Sequence, residues 1–196
     1  MRKLIVWNLM TLDGCFEGAA PWSLDFHGAV WGDELEAHSL KQLDEVGTLL
    51  FGRRTFDGMA DYWSDQTGAI ADRMNAADKV VATIKGTSTK WSNTRVLKGD
   101  ISDHIASLKA EQEKKDIFVF GSANLCASLL SEGAVDEYRL FLVPVVLGGG
   151  NPLFKADGLR KDFTLLETRP FASGGVLLRY AGAKVKADVS RHTASR

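Results

Sequence analysis

The sequence predicts an α/β fold in which a mixed, mostly parallel central sheet is flanked by helices and finished by antiparallel strands. Three observations carry this expectation. Apolar runs of strand length alternate along the chain with helical patterns. Two of those runs end in glycine and pass at once into a helix start. The last two runs follow one another without a helix between them, which suits a hairpin rather than a parallel crossover.

Taken in order, Leu4 to Met10 reads as a buried strand, because its apolar content is nearly continuous. Trp31 to Glu45 reads as a helix, Val46 to Phe51 as a short buried strand and Thr55 to Tyr62 as a helix. Lys79 to Ile84 is a strand with β-branched content, and Thr94 to Leu97 a shorter one. Asp100 to Lys114 is helical in pattern, since Ile101, Ile105 and Leu108 fall at i, i+4 and i+7 and Asp100 is placed to cap it. Ile117 to Phe120 is a strand, and Ala123 to Leu130 a helix closed near Gly133. Asp136 to Val146 begins with alternation and becomes continuously apolar, until Leu147-Gly148-Gly149-Gly150-Asn151-Pro152 breaks it. Phe163 to Thr168 and Gly175 to Tyr180 are late strands joined through Pro170 and Ser173-Gly174. Lys184 to Arg196 is polar and aperiodic. No repeat or linker divides the chain, so residues 1–183 are expected to form one domain and 184–196 a flexible tail.

With 45% hydrophobic and 25% charged residues, a chain of 196 residues can bury a core. Its 24 Lys and Arg nearly cancel 25 Asp and Glu, and a formal charge of −1 exerts no long-range pull on nucleic acid or an acidic membrane. A small molecule is the expected partner. Cys15 and Cys126 are far apart, with no CxxC or Cys/His cluster, so neither a metal site nor a disulfide framework is indicated. The N-terminus opens like a secretion signal but meets Asn8, Asp13 and Glu17 too soon for an apolar h-region. A cytoplasmic location is expected.

Chemistry concentrates at four places. In Leu49-Leu50-Phe51-Gly52-Arg53-Arg54-Thr55 a strand ends in glycine and a helix starts. The first helical N–H groups and the helix dipole attract an anion there, and two guanidinium groups suit phosphate oxygens. A capped helix with two solvated arginines is the plainer alternative. Phe118-Val119-Phe120-Gly121-Ser122-Ala123-Asn124 repeats the geometry, and Ser122 is able to cap the helix or donate to a phosphate oxygen. Neither segment is a GxGxxG or a GxxxxGK[ST] motif. Val80 to Ile84 suits the wall of an adenosine pocket or an ordinary buried strand. Asp13-Gly14 reads as a turn, with a carboxylate at the C-terminal end of the first strand, where a substrate cleft opens in such sheets. Trp22 and Phe26 follow it, and fit either the roof over a flat heteroaromatic substrate or a cover for the sheet edge.

In this order and spacing, these segments resemble the dihydrofolate reductase fold. They are most similar to the C-terminal reductase domain of the bifunctional riboflavin-biosynthesis deaminase/reductase. The resemblance is carried by Leu12-Asp13-Gly14, Gly52-Arg53-Arg54-Thr55, Gly121-Ser122-Ala123, Val135-Asp136-Glu137 and Pro144 through Gly150, and runs from about Leu4 to Tyr180. It implies an NADPH site across the C-terminal ends of the strands. Gly52, Arg53, Arg54 and Thr55 would lie at the adenosine-side phosphates and Thr83 at the adenine ribose. Gly121, Ser122, Ala123 and Asn124 would hold the pyrophosphate, and Leu9 and Met10 would line the nicotinamide pocket. An acidic residue on the helix after the first strand handles the pteridine in dihydrofolate reductases; Glu34 and Glu36 are nearby, and Glu36 is the substrate-side candidate. Two departures stand out: Cys15 replaces a basic residue after Asp-Gly, and Phe56 to Trp63 replaces an Asp-Pro segment.

The expectation is an NADPH-dependent reductase of a small, heterocyclic substrate, like the riboflavin-pathway pyrimidine reductase or dihydrofolate reductase, with Asp13 or water supplying the proton. The alternative is a non-catalytic dinucleotide- or ligand-binding protein on the same fold. A homodimer is expected, because the late strands are apolar along much of their length.

Overall fold

The computed structural model describes residues 1–84, 91–112, 115–155 and 160–182. Ten strands and five α-helices follow in the order β1 (Leu4–Thr11), β2 (Cys15–Glu17), α1 (Asp33–Leu43), β3 (Val46–Gly52), α2 (Arg53–Trp63), α3 (Ala69–Ala76), β4 (Asp78–Thr83), β5 (Thr94–Lys98), α4 (Ser102–Ala110), β6 (Asp116–Phe120), α5 (Ala123–Ser131), β7 (Glu137–Val143), β8 (Asn151–Pro152), β9 (Thr164–Pro170) and β10 (Val176–Ala181). A short 3-10 helix, Asp25–Ala29, precedes α1.

Eight strands form one sheet in the order β5-β4-β3-β6-β1-β7-β10-β9. The first six are parallel, and β10 pairs antiparallel with both β7 and β9. This is the mixed, mostly parallel architecture the sequence predicts. Side-chain alternation sorts the apolar residues onto two faces. Ile5, Leu49, Phe51, Phe118 and Phe141 meet Leu35, Phe56 and Met74 of α1, α2 and α3 on one face. Leu4, Val6, Leu50, Val119 and Leu140 meet Ile105, Leu125 and Leu129 of α4 and α5 on the other. Strands buried on both faces are continuously apolar, which is why β1, β3 and β6 show no polar alternation.

Several boundaries differ from the sequence expectation. Helix α1 begins at Asp33, not Trp31. Trp31 instead follows the 3-10 helix, its N–H donating back to the His27 carbonyl at 3.1 Å. Helix α2 starts at Arg53, directly after Gly52, and α4 stops at Ala110. Asp100 does serve α4: its carboxylate accepts the Ser102 N–H at 3.1 Å. Strand β7 ends at Val143. The small β2–β8 sheet and α3 have no counterpart in the sequence reading. The predicted C-terminal tail lies outside the described residues.

Candidate functional site at the C-terminal ends of the strands

Strands β3 and β6 are parallel neighbours, with Leu50 beside Val119. The chain leaving β3 enters α2 on one face of the sheet, and the chain leaving β6 enters α5 on the other. Connections that diverge from adjacent strands open a crevice beyond the strand ends, where ligands settle in open α/β sheets. Both helix starts predicted from sequence border this crevice.

The two starts are tied together. The Gly52 N–H donates to Ser122 Oγ at 3.1 Å. Gly121 has φ 64°, and a Cβ there would sit 3.1 Å from Thr55 Cγ2, so this crossing of α2 and α5 needs glycine. Ser122 itself is left-handed at φ 61°, ψ 53°. For a side-chain-bearing residue that conformation costs about 1–2 kcal/mol. Its hydroxyl oxygen accepts from Gly52 and its O–H proton remains to be donated; Ser122 does not cap α5 through its side chain, and α2 has no side-chain cap either. The starts of both helices, without side-chain caps, border the crevice. Asn124, in the first turn of α5, accepts a hydrogen bond from Lys155, a cation that the sequence reading did not place here. Thr83 closes the C-terminal end of β4 and is buried.

The two arginines diverge. Arg53 pairs with Asp57 one turn along α2 at 2.7 Å. Arg54 points towards Glu17 of β2 at 3.5 Å. Since β2 packs against β1 near the middle of the eight-stranded sheet, Arg54 faces the middle of the sheet, while Arg53 stays on α2 with Asp57.

At the end of β1, Leu9 and Met10 point to opposite faces: Leu9 packs beside Trp7 and Phe141, while Met10 is buried against the α4–α5 face. Asp13 Oδ1 accepts from Thr11 Oγ1 at 2.5 Å and the Leu147 N–H at 3.3 Å, and Oδ2 accepts the Gly148 N–H at 2.9 Å. The Thr11 hydroxyl, followed by these backbone donors, holds the carboxyl below its ordinary value. An ionised carboxylate accepts protons rather than giving them, so these surroundings support an anchor for the glycine loop after β7. Trp22 has φ 63°, and its N–H donates to Glu17 Oε1 at 2.7 Å. Its indole lies on α2 where Gly58 leaves room; a Cβ there would come within 2.0 Å of the ring. Segment 15–22 thus crosses the strand ends from β1 to α2. Phe26 is 4% exposed, inside the core beside Val30 and Phe141, so Trp22 is the aromatic of this pair that remains open. Glu36 is exposed in the first turn of α1, whereas Glu34 is engaged by Arg169 and the Ala172 N–H. Glu17 and Asn151 are the site residues that sequence reasoning missed: Asn151 donates to Glu17 Oε2 at 2.9 Å. No group of three or more potential metal ligands is assembled among the described residues.

Residues 2–177 match the family described as the RibD C-terminal domain. The chain is 29% identical over 188 residues to Uncharacterized protein YyaP of Bacillus subtilis strain 168, covering 91% of this chain and 94% of that protein. Among solved structures, a protein of Shewanella sp. PV-4 assigned provisionally to riboflavin biosynthesis superposes with TM-score 0.74 at 21% identity, covering 93% of this chain and 99% of the other. Dihydrofolate reductase from Enterococcus faecalis, complexed with NADP(H) and RAB-propyl, superposes with TM-score 0.60 at 14% identity, covering 91% and 95%. These two likenesses establish the dihydrofolate reductase-like fold. The extent of the sequence match settles the kinship: the chain belongs to the RibD C-terminal domain family.

Proposed function

We propose that this protein is an NADPH-dependent reductase of a small heterocyclic substrate. One observation carries the reading: two helix starts without side-chain caps, led by Gly52 and Gly121, open on the same crevice and are joined by the Gly52–Ser122 hydrogen bond. NADPH carries a pyrophosphate and a separate 2′-phosphate, and two helix N-termini suit these two anionic groups. Gly121 to Asn124 hold the pyrophosphate, with Gly52 and Thr55 across from them. Thr83 borders the adenine ribose. Leu9 offers its side chain, and Met10 its backbone, to the nicotinamide. Trp22 walls the substrate side, with Glu36 at its outer rim. The cofactor supplies the hydride; the protein orients it and excludes water. The proton comes from water, and Asp13 fixes the loop that shapes the pocket.

The 2′-phosphate falls to Arg53, the arginine that Glu17 does not draw toward β2. Its ion pair with Asp57 is exposed on both sides and worth at most about 1 kcal/mol, so a phosphate displaces Asp57 readily. Calorimetry tests this. The unmodified protein should prefer NADPH to NADH, and Arg53→Ala should cost NADPH roughly ten- to a hundredfold in affinity while sparing NADH. Equal affinities in the unmodified protein would discard the 2′-phosphate assignment. NADPH oxidation with pterins, pyrimidines and quinones then tests turnover; tight binding with none on any of them favours a binding protein.

The same reading makes the protein a cytoplasmic homodimer. Both cysteines are free and buried, which suits a reducing compartment. The outer face of β10 and β9 is only partly covered, with Leu165 51% exposed. No helix among the described residues is long and apolar enough to cross a membrane.

A further inference from the structure

Glu17 is a buried carboxylate that the reduction itself does not employ. It is 8% exposed and sits where the segment from β1 meets α2. Its Oε1 accepts the Trp22 N–H at 2.7 Å, and Oε2 accepts the Asn151 amide at 2.9 Å. The same Oε2 lies 3.5 Å from an Arg54 nitrogen. The Arg54 side chain is 64% exposed, and Glu17 is its one hydrogen-bonding or ion-pairing partner among the described residues. The contact is therefore lopsided: a buried carboxylate, held by two other bonds, meets an exposed cation at long range. That cation stands in the first turn of α2, at the edge of the crevice.

We propose that Glu17 is a positioning residue that competes with a ligand phosphate for Arg54. The guanidinium has two stations. Without ligand it rests on Glu17; with ligand it moves to a phosphate entering between Gly52 and Gly121. Because Arg54 faces the middle of the sheet, the phosphate it meets is the pyrophosphate, shared by NADPH and NADH. Glu17 thus sets overall dinucleotide affinity and leaves the preference between the two cofactors to Arg53. The proposal rests on the dinucleotide reading above.

Glu17→Gln removes the competing charge and keeps the local bonds. The new amide accepts the Trp22 N–H through its oxygen and donates to Asn151 once that side chain turns its oxygen inward. Calorimetric titrations with NADPH, NADH and inorganic pyrophosphate should show Glu17→Gln tightening all three by about two- to fivefold, with the NADPH:NADH ratio unchanged. Arg54→Met should weaken all three, and in its background Glu17→Gln should no longer tighten any. A merely structural Glu17 produces no such dependence on Arg54. Unchanged or weaker binding in a Glu17→Gln protein that keeps its circular dichroism and melting temperature overturns the proposal. Should that variant not fold, Arg54→Met decides, because unaltered pyrophosphate affinity there overturns it too. Pyrophosphate binding with the expected pattern but no nucleotide binding discards the dinucleotide reading and leaves Glu17 in its role; nucleotide binding indifferent to Glu17 does the reverse.

Discussion

Asp13 shows how a residue's surroundings decide between two roles that its position allows. The sequence places a carboxylate at the end of the first strand, which suits a proton donor, an anchor or a turn equally. The bonds from Thr11, Leu147 and Gly148 keep it ionised. Asn offers one acceptor oxygen in place of two, so Asp13→Asn sets an N–H₂ against either the Thr11–Leu147 donors or Gly148. Under the proposed reaction this variant should lower kcat and leave the pH–rate profile between pH 5 and 8 unmoved, since the group stays below its ordinary value of 3.8. Loss of a titrating limb in that range would instead make Asp13 the proton donor. Gly52 and Gly121 were legible because strand, glycine and helix start are adjacent in sequence. Glu17 was not, because its partner Asn151 is 134 positions away and Arg54 is 37 away. A lone acidic residue in a loop carries no local signal of the bonds that bury it.

Elements long enough to bury a face were legible in the same way, and the short ones were not. Strands β1, β3, β6 and β7 announce themselves because both of their faces meet apolar layers. Strands β2 and β8, of three and two residues, hold their place through the Glu17 bonds and the contact of Leu153 N–H with the Gly14 carbonyl at 3.2 Å, which no periodicity encodes. Helix α3 buries only Ala71 and Met74, too few positions to display a period. The late hairpin was expected, but its bulge was not: Arg179 pairs with Glu167 and Tyr180 with Leu165, leaving Leu166 unpaired. A bulge disfavours extension of the sheet edge by another strand. Association is therefore expected through the face, where Leu165, Leu178 and Tyr180 lie on one side of the hairpin. Sedimentation should give a dimer at micromolar concentration, and Leu165→Glu should shift it to monomer without loss of secondary structure. A monomeric unmodified protein would rule out the dimer, and a dimer indifferent to Leu165→Glu would move the interface elsewhere.

Across the whole molecule, His27, His38, Lys79, Cys126 and Tyr138 shape stability against pH. His27 and His38 each bury Nε2 without a partner. Burial lowers His27 from 6.5 to about 4, and burial, then Arg169 and Arg139, lower His38. Below pH 6.5 the unfolded chain takes up protons that the folded chain refuses until about pH 4, so stability falls as pH drops through that window. On the alkaline side, Lys79 lies wholly inside, donating to the Asn75 and Ala77 carbonyls at 2.9 and 2.7 Å and facing the Trp91 ring at 4.6 Å. Burial lowers its ammonium from 10.5 to about 8. Between those values the folded chain sheds the proton first, so stability rises with pH. The buried Cys126 thiol and the buried, unpartnered Tyr138 hydroxyl work the other way: burial raises the thiol from 9.0 to about 12 and the hydroxyl above its ordinary 10.0, so beyond pH 9 the unfolded chain ionises these groups first and stability is drawn down. Urea denaturation across pH 4 to 11 should therefore climb to pH 6.5, run level to about 8, climb to about 9, where Cys126 begins to offset Lys79, and decline beyond about 10. The acid rise amounts to about 2–3 kcal/mol and the alkaline rise to about 1 kcal/mol, at roughly 1.4 kcal/mol per pH unit of displacement. Lys79→Met leaves two carbonyls without their donor and lowers stability throughout, yet it should erase the rise between pH 8 and 9, and His27→Gln should shrink the acid limb. A level profile from pH 8 to 9 in the unmodified protein would mean that Lys79 keeps its proton in the folded state, its two carbonyl bonds and the indole outweighing the cost of burial.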